Sequence, residues 1–212
     1  MTSLSKVRRT QEERTARTRL ALVEGAISAI YKHGYAAAST VLIAEEAQTS
    51  RGAMVHHFST RAALMAEVVR YVFEREMMEY EEIRSRTGEG DYLHHWPRIL
   101  WRVLSKPSGL AVLEILQATK SDTELGEYVI PMQEGVERAA LAAIRDAFGG
   151  DDQEALSVMR LMVWSIRGLS IAERYLPHRP ETHHAVELLS HLLYVVAPSG
   201  KIEDIGPWLK SE

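Results

Sequence analysis

The chain has 212 residues, 46% of them apolar and 25% charged, with no cysteine and a formal net charge of −4. These proportions belong to a folded chain of one or two domains, not to a disordered one, and the lack of cysteine excludes disulfide scaffolds, thiolate metal sites and cysteine nucleophiles together. No apolar run approaches the roughly 18 residues needed to span a bilayer, and Met1–Arg19 lacks the apolar stretch of a secretory signal, so the expectation is a soluble, cytoplasmic protein with no membrane partner.

The charge is unevenly placed. Residues 1–61 hold nine Lys/Arg against five Asp/Glu, and the remainder holds sixteen against twenty-four. Lys6, Arg8, Arg9, Arg14, Arg17 and Arg19 crowd the first nineteen residues. A basic front on an acidic body indicates a two-part protein whose N-terminal part meets an anion.

In chain order the pattern is helical throughout. Leu20, Val23, Ile27 and Ile30 recur at spacings of three and four, and Lys32-His33-Gly34 reads as a helix end. Ser39 or Thr40 caps a short helix through Ala47, and Ser50 caps another over Arg51–His57. Ser59 or Thr60 opens a long helix containing Leu64, Val68, Tyr71, Val72 and Met78, which ends near Arg86. Beyond Gly88-Glu89-Gly90, Pro97 and Pro107 bound short helices. Ser121-Asp122-Thr123-Glu124 and Asp151-Asp152-Gln153-Glu154 have the spacing of capping boxes. Pro131 predicts a kink or break near Val129–Ile130. Helices over 152–175 and 180–196 complete the chain. The expected fold is all-α: an N-terminal three-helix domain with a helix-turn-helix (residues 1–60, motif about 39–58), then a larger helical domain (61–212).

Residues 39–58 carry the chemistry. Two short helices joined by a tight turn, behind a longer supporting helix, form a helix-turn-helix. In the second helix Met54 and Phe58, four apart, are placed to bury together, which leaves Arg51, Gly52, Val55 and His56 pointing away. Such a helix suits a major groove about 12 Å wide, where arginine pairs with guanine and valine meets a thymine methyl. Gly52 permits close approach of the backbone. Thr40, Ser50, His57 and Arg61 are the expected phosphate-positioning residues, and Arg8, Arg9, Arg14 and Arg17 add non-specific attraction.

Thr40-Val41-Leu42-Ile43-Ala44-Glu45-Glu46-Ala47, Ser50-Arg51-Gly52-Ala53-Met54 and His57-Phe58-Ser59-Thr60-Arg61-Ala62-Ala63-Leu64, with Gly34-Tyr35 ahead of them, resemble the DNA-binding signature of the tetracycline-repressor (TetR) family over roughly residues 16–76. Two positions depart from it: Gln48 stands where the family usually has a turn glycine, and Val55 where it usually has a tyrosine that contacts the DNA backbone. Arg61 replaces the usual lysine and keeps the positive charge.

The resemblance implies a homodimeric, double-stranded-DNA-binding transcriptional regulator, more a repressor than an activator, that reads an inverted-repeat operator and is released by a small-molecule effector. It implies that the last two helices pair with their twins. The residues offer matching stripes: Leu156, Met159, Val163 and Ile166 with the small Gly168, then Leu188, Leu189, Leu192, Leu193 and Val196. The alternative is that these stripes are core within one subunit. The resemblance also implies an effector pocket among the middle helices, with Trp96, Trp101, Leu113, Leu116, Tyr128, Met132, Met162 and Trp164 as apolar candidates and Arg167 as a polar anchor. The long helix from about residue 60 to 86 is the natural lever between the parts.

Other readings are weaker. The sequence has no phosphate loop after a strand, no nucleophile elbow and no HExxH, so no enzyme is expected. His94, His95, His183, His184 and His191 are the only candidate metal ligands for a metal-responsive sensor, but adjacent histidines on a helix point about 100° apart. No metal or cofactor is expected. A helical dimeric interaction module would explain the stripes but not the basic front.

Overall fold

The computed structural model describes residues 11–177 and 179–209. Lys6, Arg8 and Arg9 of the basic arm therefore lie outside the described residues. Among the described residues there is no strand, and ten α-helices follow one another through short turns.

The N-terminal helices are set by local signals. Helix α1 (Gln11–His33) buries Leu22, Val23, Ala26, Ile27, Ala29 and Ile30 and is followed by Gly34 at φ 84°. Leu20, expected on the same face, is exposed. Helix α2 (Thr40–Glu46) is capped by Ser39, whose Oγ accepts the Leu42 N–H at 3.2 Å, so Thr40 is its first turn and not its cap. Ser50 caps α3 (Arg51–His57) by accepting the Ala53 N–H at 3.1 Å. Thr60 caps α4 (Arg61–Thr87), which Gly88 ends in the left-handed region that glycine occupies without strain. Each side-chain cap supplies about 1 kcal/mol and fixes where a helix begins.

Helices α5 (Trp96–Leu104) and α6 (Pro107–Ala118) each carry a proline in the first turn, Pro97 and Pro107, as expected. Helix α7 (Thr123–Phe148) differs from expectation twice. It runs unbroken through Pro131, because Glu127, whose carbonyl loses its N–H partner, faces solvent together with Pro131. Its cap is Asp122, one residue later than the box starting at Ser121 would place it. The second box forms as written, Asp151 and Glu154 each accepting the other's backbone N–H ahead of α8 (Asp152–Tyr175). After α9 (Arg179–Val196), a tail that the sequence pattern left unassigned forms a 3-10 turn at Ile202–Asp204 and α10 (Gly206–Leu209). Ile202 is buried, and Glu203 accepts the Gly150 N–H at 3.0 Å.

Two cores hold the chain. The first joins α1, α2, α3 and the N-terminal half of α4 to α6 and the start of α7, through Ile30, Ile43, Met54, Leu64, Val68, Ile115 and Leu125. It crosses the 60/61 boundary drawn from sequence. The second lies between α5, α7, α8 and α9, around Trp96, Ile99, Phe148, Met162 and Ile166.

Helix α8 is long and apolar enough, by length and composition, to cross a membrane. The reason is that both of its faces are apolar. The stripe expected at a dimer interface is its inner face. Met159 and Ile166 are buried, and Leu156 and Val163 pack on the second core, as do Leu189, buried Leu193 and Val196 of α9. The outer face carries Leu161, Trp164, Gly168 and Tyr175 instead, and α9 adds exposed Leu188, Leu192 and Val195. Of the ten residues assigned to a dimer interface, only Gly168, Leu188 and Leu192 are exposed.

Candidate functional site

Helix α3 has one buried side and one open side. Met54 and Phe58 enter the first core together, as their spacing indicated. Arg51, Gly52, Val55 and His56 are exposed, Val55 at 61%. Ser50 is exposed at the helix start, and Thr40 and His57 are half-buried. The His57 and His56 rings meet edge to face, 5.2 Å apart. Partial burial, then His56 and Arg19, hold the His57 imidazole below its ordinary pKa, so it is a neutral hydrogen-bonding group near neutral pH.

Two arginines of the basic N-terminal part serve the fold. Arg19 lies 4.4 Å over the Phe58 ring, donates through Nη1 to the His57 carbonyl at 3.3 Å and through Nε to Glu67 at 3.2 Å. It clamps the end of α3 to α1 and α4. Arg61 donates through Nε to the Ala38 carbonyl at 2.9 Å and through Nη2 to the Tyr35 carbonyl, with its guanidinium 4.0 Å from the Tyr35 ring centroid. Its donors point into the loop ahead of α2, which corrects its expected place among the phosphate contacts. Arg14 and Arg17 are exposed on α1. Helix α2 is held to α1 by Glu46, which accepts from Ser28 at 2.8 Å and Lys32 at 2.7 Å, and these two hydrogen bonds pull the Glu46 carboxyl below its ordinary range.

The turn between α2 and α3 is strained at one residue. Gln48 has φ 51°, the region where the family pattern has glycine. A side chain there costs about 1 kcal/mol. Gln48→Gly is therefore expected to stabilise the fold by about that amount in urea denaturation, and a loss of stability would mean that the glutamine side chain holds the turn.

A second feature lies between α4, α5, α7 and α8, a cavity of about 130 Å³. Trp96, Leu116, Trp164 and Arg167 line it, as expected. The other candidates do not. Leu113 and Met162 are buried in packing, Met132 packs on the first core, Tyr128 is exposed, and Trp101 stacks edge-on against His183 with centroids 5.4 Å apart. The sequence reading missed the contribution of α4: Phe73, Glu76, Met77 and Tyr80. Arg167 links three helices here. Its Nη1 donates to the Gly109 carbonyl of α6 at 3.3 Å, and its Nη2 lies 3.7 Å from Glu76 Oε2 of α4.

The histidines do not assemble. Among the described residues no three of His, Asp and Glu lie together as a metal site would need. His94 and His95 pack with Tyr92 and Tyr194, and His183 lies 3.3 Å from Glu173.

Residues 22–68 match the family described as bacterial regulatory proteins, tetR family. The segment that holds the helix-turn-helix is thus similar to the tetR family's DNA-binding domain. An uncharacterised HTH-type transcriptional regulator of Mycobacterium tuberculosis is 24% identical over 189 residues, which cover 87% of this chain and 97% of that one. A TetR-family member from Streptomyces coelicolor A3 superposes with a TM-score of 0.61 at 20% identity, over 82% of this chain and 97% of that one. The multidrug binding protein EbrR, solved with imidazole, superposes with a TM-score of 0.56 at 20% identity, over 82% and 93%. The tetR match makes the chain a transcriptional regulator whose DNA-binding part is N-terminal, and it does not favour a DNA-free helical module or a metal sensor.

Gly52 separates packing from surface contact in this helix-turn-helix. A Cβ added there meets only Ser50 Oγ, at an ordinary 3.8 Å. Gly52→Ala should leave the fold intact or stabilise it by up to about 0.5 kcal/mol. DNA affinity should nevertheless fall about tenfold if the α3 backbone lies against a groove wall. Unchanged DNA affinity would remove Gly52 from the interface.

Proposed function

We propose that the chain is a cytoplasmic, homodimeric repressor that reads an inverted-repeat operator through α3 and leaves it when a small molecule fills the cavity beside α4. The observation that carries the DNA-reading part is the two-sided character of α3. Its packing side is buried with Met54 and Phe58, while Arg51, Gly52, Val55 and His56 remain open to a base edge. Thr40 and Ser50 stand at helix N-termini, where exposed N–H groups suit phosphate, and His57 in the last turn of α3 adds a side-chain hydrogen-bonding group. Exposed Arg14 and Arg17 add sequence-independent attraction.

The outer faces of α8 and α9 support the dimer. Leu161, Trp164, Leu188, Leu192 and Val195 are all more than half exposed on neighbouring helices, a patch of the kind that monomers rarely leave uncovered. A two-fold pairing there would set two copies of α3 against one inverted repeat. The cavity supports the effector. A ligand that favours one arrangement of α4 shifts DNA affinity by its preference for that arrangement. EbrR, of the same fold, is described as a multidrug binding protein.

The test is capture of sheared genomic fragments by the purified protein at two salt concentrations, followed by sequencing. An enriched inverted repeat supports the reading. Enrichment without sequence preference, lost at higher salt, would leave only non-specific attraction. Arg51→Ala should cost about 1–3 kcal/mol on the enriched site and relax preference at one base pair. An equal loss on every sequence would move Arg51 from base reading to phosphate contact.

A further inference from the structure

We propose that the effector is an organic cation of about one ring, whose protonated amine sits on Glu76. This rests on the reading of the cavity as an effector site and adds the charge of what enters it. Among the described residues three buried side-chain polar atoms lack a hydrogen-bond partner: Glu76 Oε1, His94 Nδ1 and Ser190 Oγ. Glu76 is the one of these residues that lines the cavity. A buried acceptor left unmatched is costly, more so when it is charged, and a donor brought by a ligand recovers that cost.

The neighbouring cations already have acceptors. Arg167 is held between Gly109 and Glu76, Arg160 donates to Glu137 at 2.8 Å, and Lys106 pairs with Glu79. An anionic ligand would have to take Arg167 from its partners and lie beside Glu76 and Glu137. A cation needs no such exchange. Phe73, Tyr80, Trp96 and Trp164 add aromatic surface to a wall that is otherwise mostly aliphatic, and aromatic faces attract cations. A volume of about 130 Å³ is close to that of cavities that accept a benzene ring.

Burial pushes the Glu76 carboxyl up to about 7, Arg167 and Lys106 oppose that shift and Glu79 adds to it. Tyr80, raised to about 12, stays neutral, and Arg160 and Glu137 complete the charged groups on the cavity wall. A cation is held by the ionised carboxylate, so its affinity should fall as pH drops through 7.

The experiment titrates DNA-free protein with phenethylamine, 2-phenylethanol and phenylacetate, a cation, a neutral analogue and an anion of one shape. It follows tryptophan fluorescence, since Trp96 and Trp164 line the cavity, together with binding calorimetry. Phenethylamine is expected to bind at least tenfold tighter than 2-phenylethanol, and phenylacetate more weakly than either. In Glu76→Gln, with folding confirmed by its melting curve, the amine and the alcohol should bind alike. In the wild-type protein, amine affinity should rise about tenfold from pH 6 to pH 8. This profile decides the matter even if Glu76→Gln does not fold. Tightest binding of phenylacetate, an amine preference that survives Glu76→Gln, a flat pH profile, or no binding of any probe overturns the proposal. Repeating operator capture with and without phenethylamine reads DNA release separately, so a failure of ligand class is distinct from a failure of DNA recognition.

Discussion

Gly25→Val is expected to destabilise the protein by about 3 kcal/mol and to abolish operator binding. Gly25 lies in the middle of α1, where a Cβ would sit 2.8 Å from both the Ala47 Cβ and the Ala47 backbone nitrogen, and 2.9 Å from the Ile43 carbonyl oxygen. Two of these neighbours are main-chain atoms, so no rotamer change relieves the contact. The α2 backbone must move, and overpacking of this kind costs about 1–3 kcal/mol or more. Valine adds a branched side chain at the same point. In a domain of this size the loss lowers the melting temperature by roughly 6–12 °C. The displaced helix is the first of the helix-turn-helix, so the aim of α3 goes with it. Gly25→Ala should show the same defect in part, since alanine's helix propensity offsets about 1 kcal/mol of the strain. Thermal melting and operator titration check both variants. A Gly25→Val protein within about 1 kcal/mol of wild type would refute the close approach of α1 and α2.

Arg61→Ala should act on stability first and on DNA second. The side chain donates to the carbonyls of Ala38 and Tyr35 and covers the Tyr35 ring. Removing it leaves two carbonyls of the loop between α1 and α2 without their charged donor, and hydrogen bonds to charged groups contribute about 1.5–3 kcal/mol each. Because the contacts share one side chain and the loop can relax, the net loss should be about 2–3 kcal/mol. Arg61→Lys should recover less than half of it, since an ammonium cannot serve both carbonyls in one fork. A phosphate contact would behave otherwise. Stability would hold, DNA affinity would fall alike on all sequences, and the salt slope would drop by about 1. Urea denaturation beside a salt titration of DNA binding distinguishes the two roles.

The helix-turn-helix was legible because its signals are local. Ser50, Thr60 and Gly34 each act on backbone groups within four residues of themselves, so a linear pattern reports them. Met54 and Phe58 were placed by one turn of spacing. What the pattern could not report was which partner a long side chain finds. Arg61 reads as a groove cation until Ala38, 23 residues earlier, is folded beside it. Helix α8 was misoriented for a different reason. With apolar residues on both faces, periodicity marks two equivalent stripes, and only the packing of α5 and α9 against Met159 and Ile166 says which is inner. On α4, Met78 was grouped with the apolar positions and is exposed, while its neighbour Met77 lines the cavity. Glu76 reads as one more solvated charge in an acidic helix until Arg167, 91 residues later, closes over it. The proline in α7 was overestimated because helix breaking depends on whether the orphaned carbonyl reaches water, which sequence alone does not state.

The first core also determines what counts as a module in this protein. Ala111, Val112 and Ile115 of α6, with Leu125 and Val129 of α7, fill the space behind α1 and α4. A fragment ending at Thr87 would keep every residue proposed to face DNA and lose part of the hydrophobic filling behind them. The unit that can be exchanged between relatives is therefore not the linear N-terminal third of the chain. A functional chimera must carry α6 and the opening turns of α7 along with the recognition helix, so the evolution of operator preference is tied to residues that never approach the duplex.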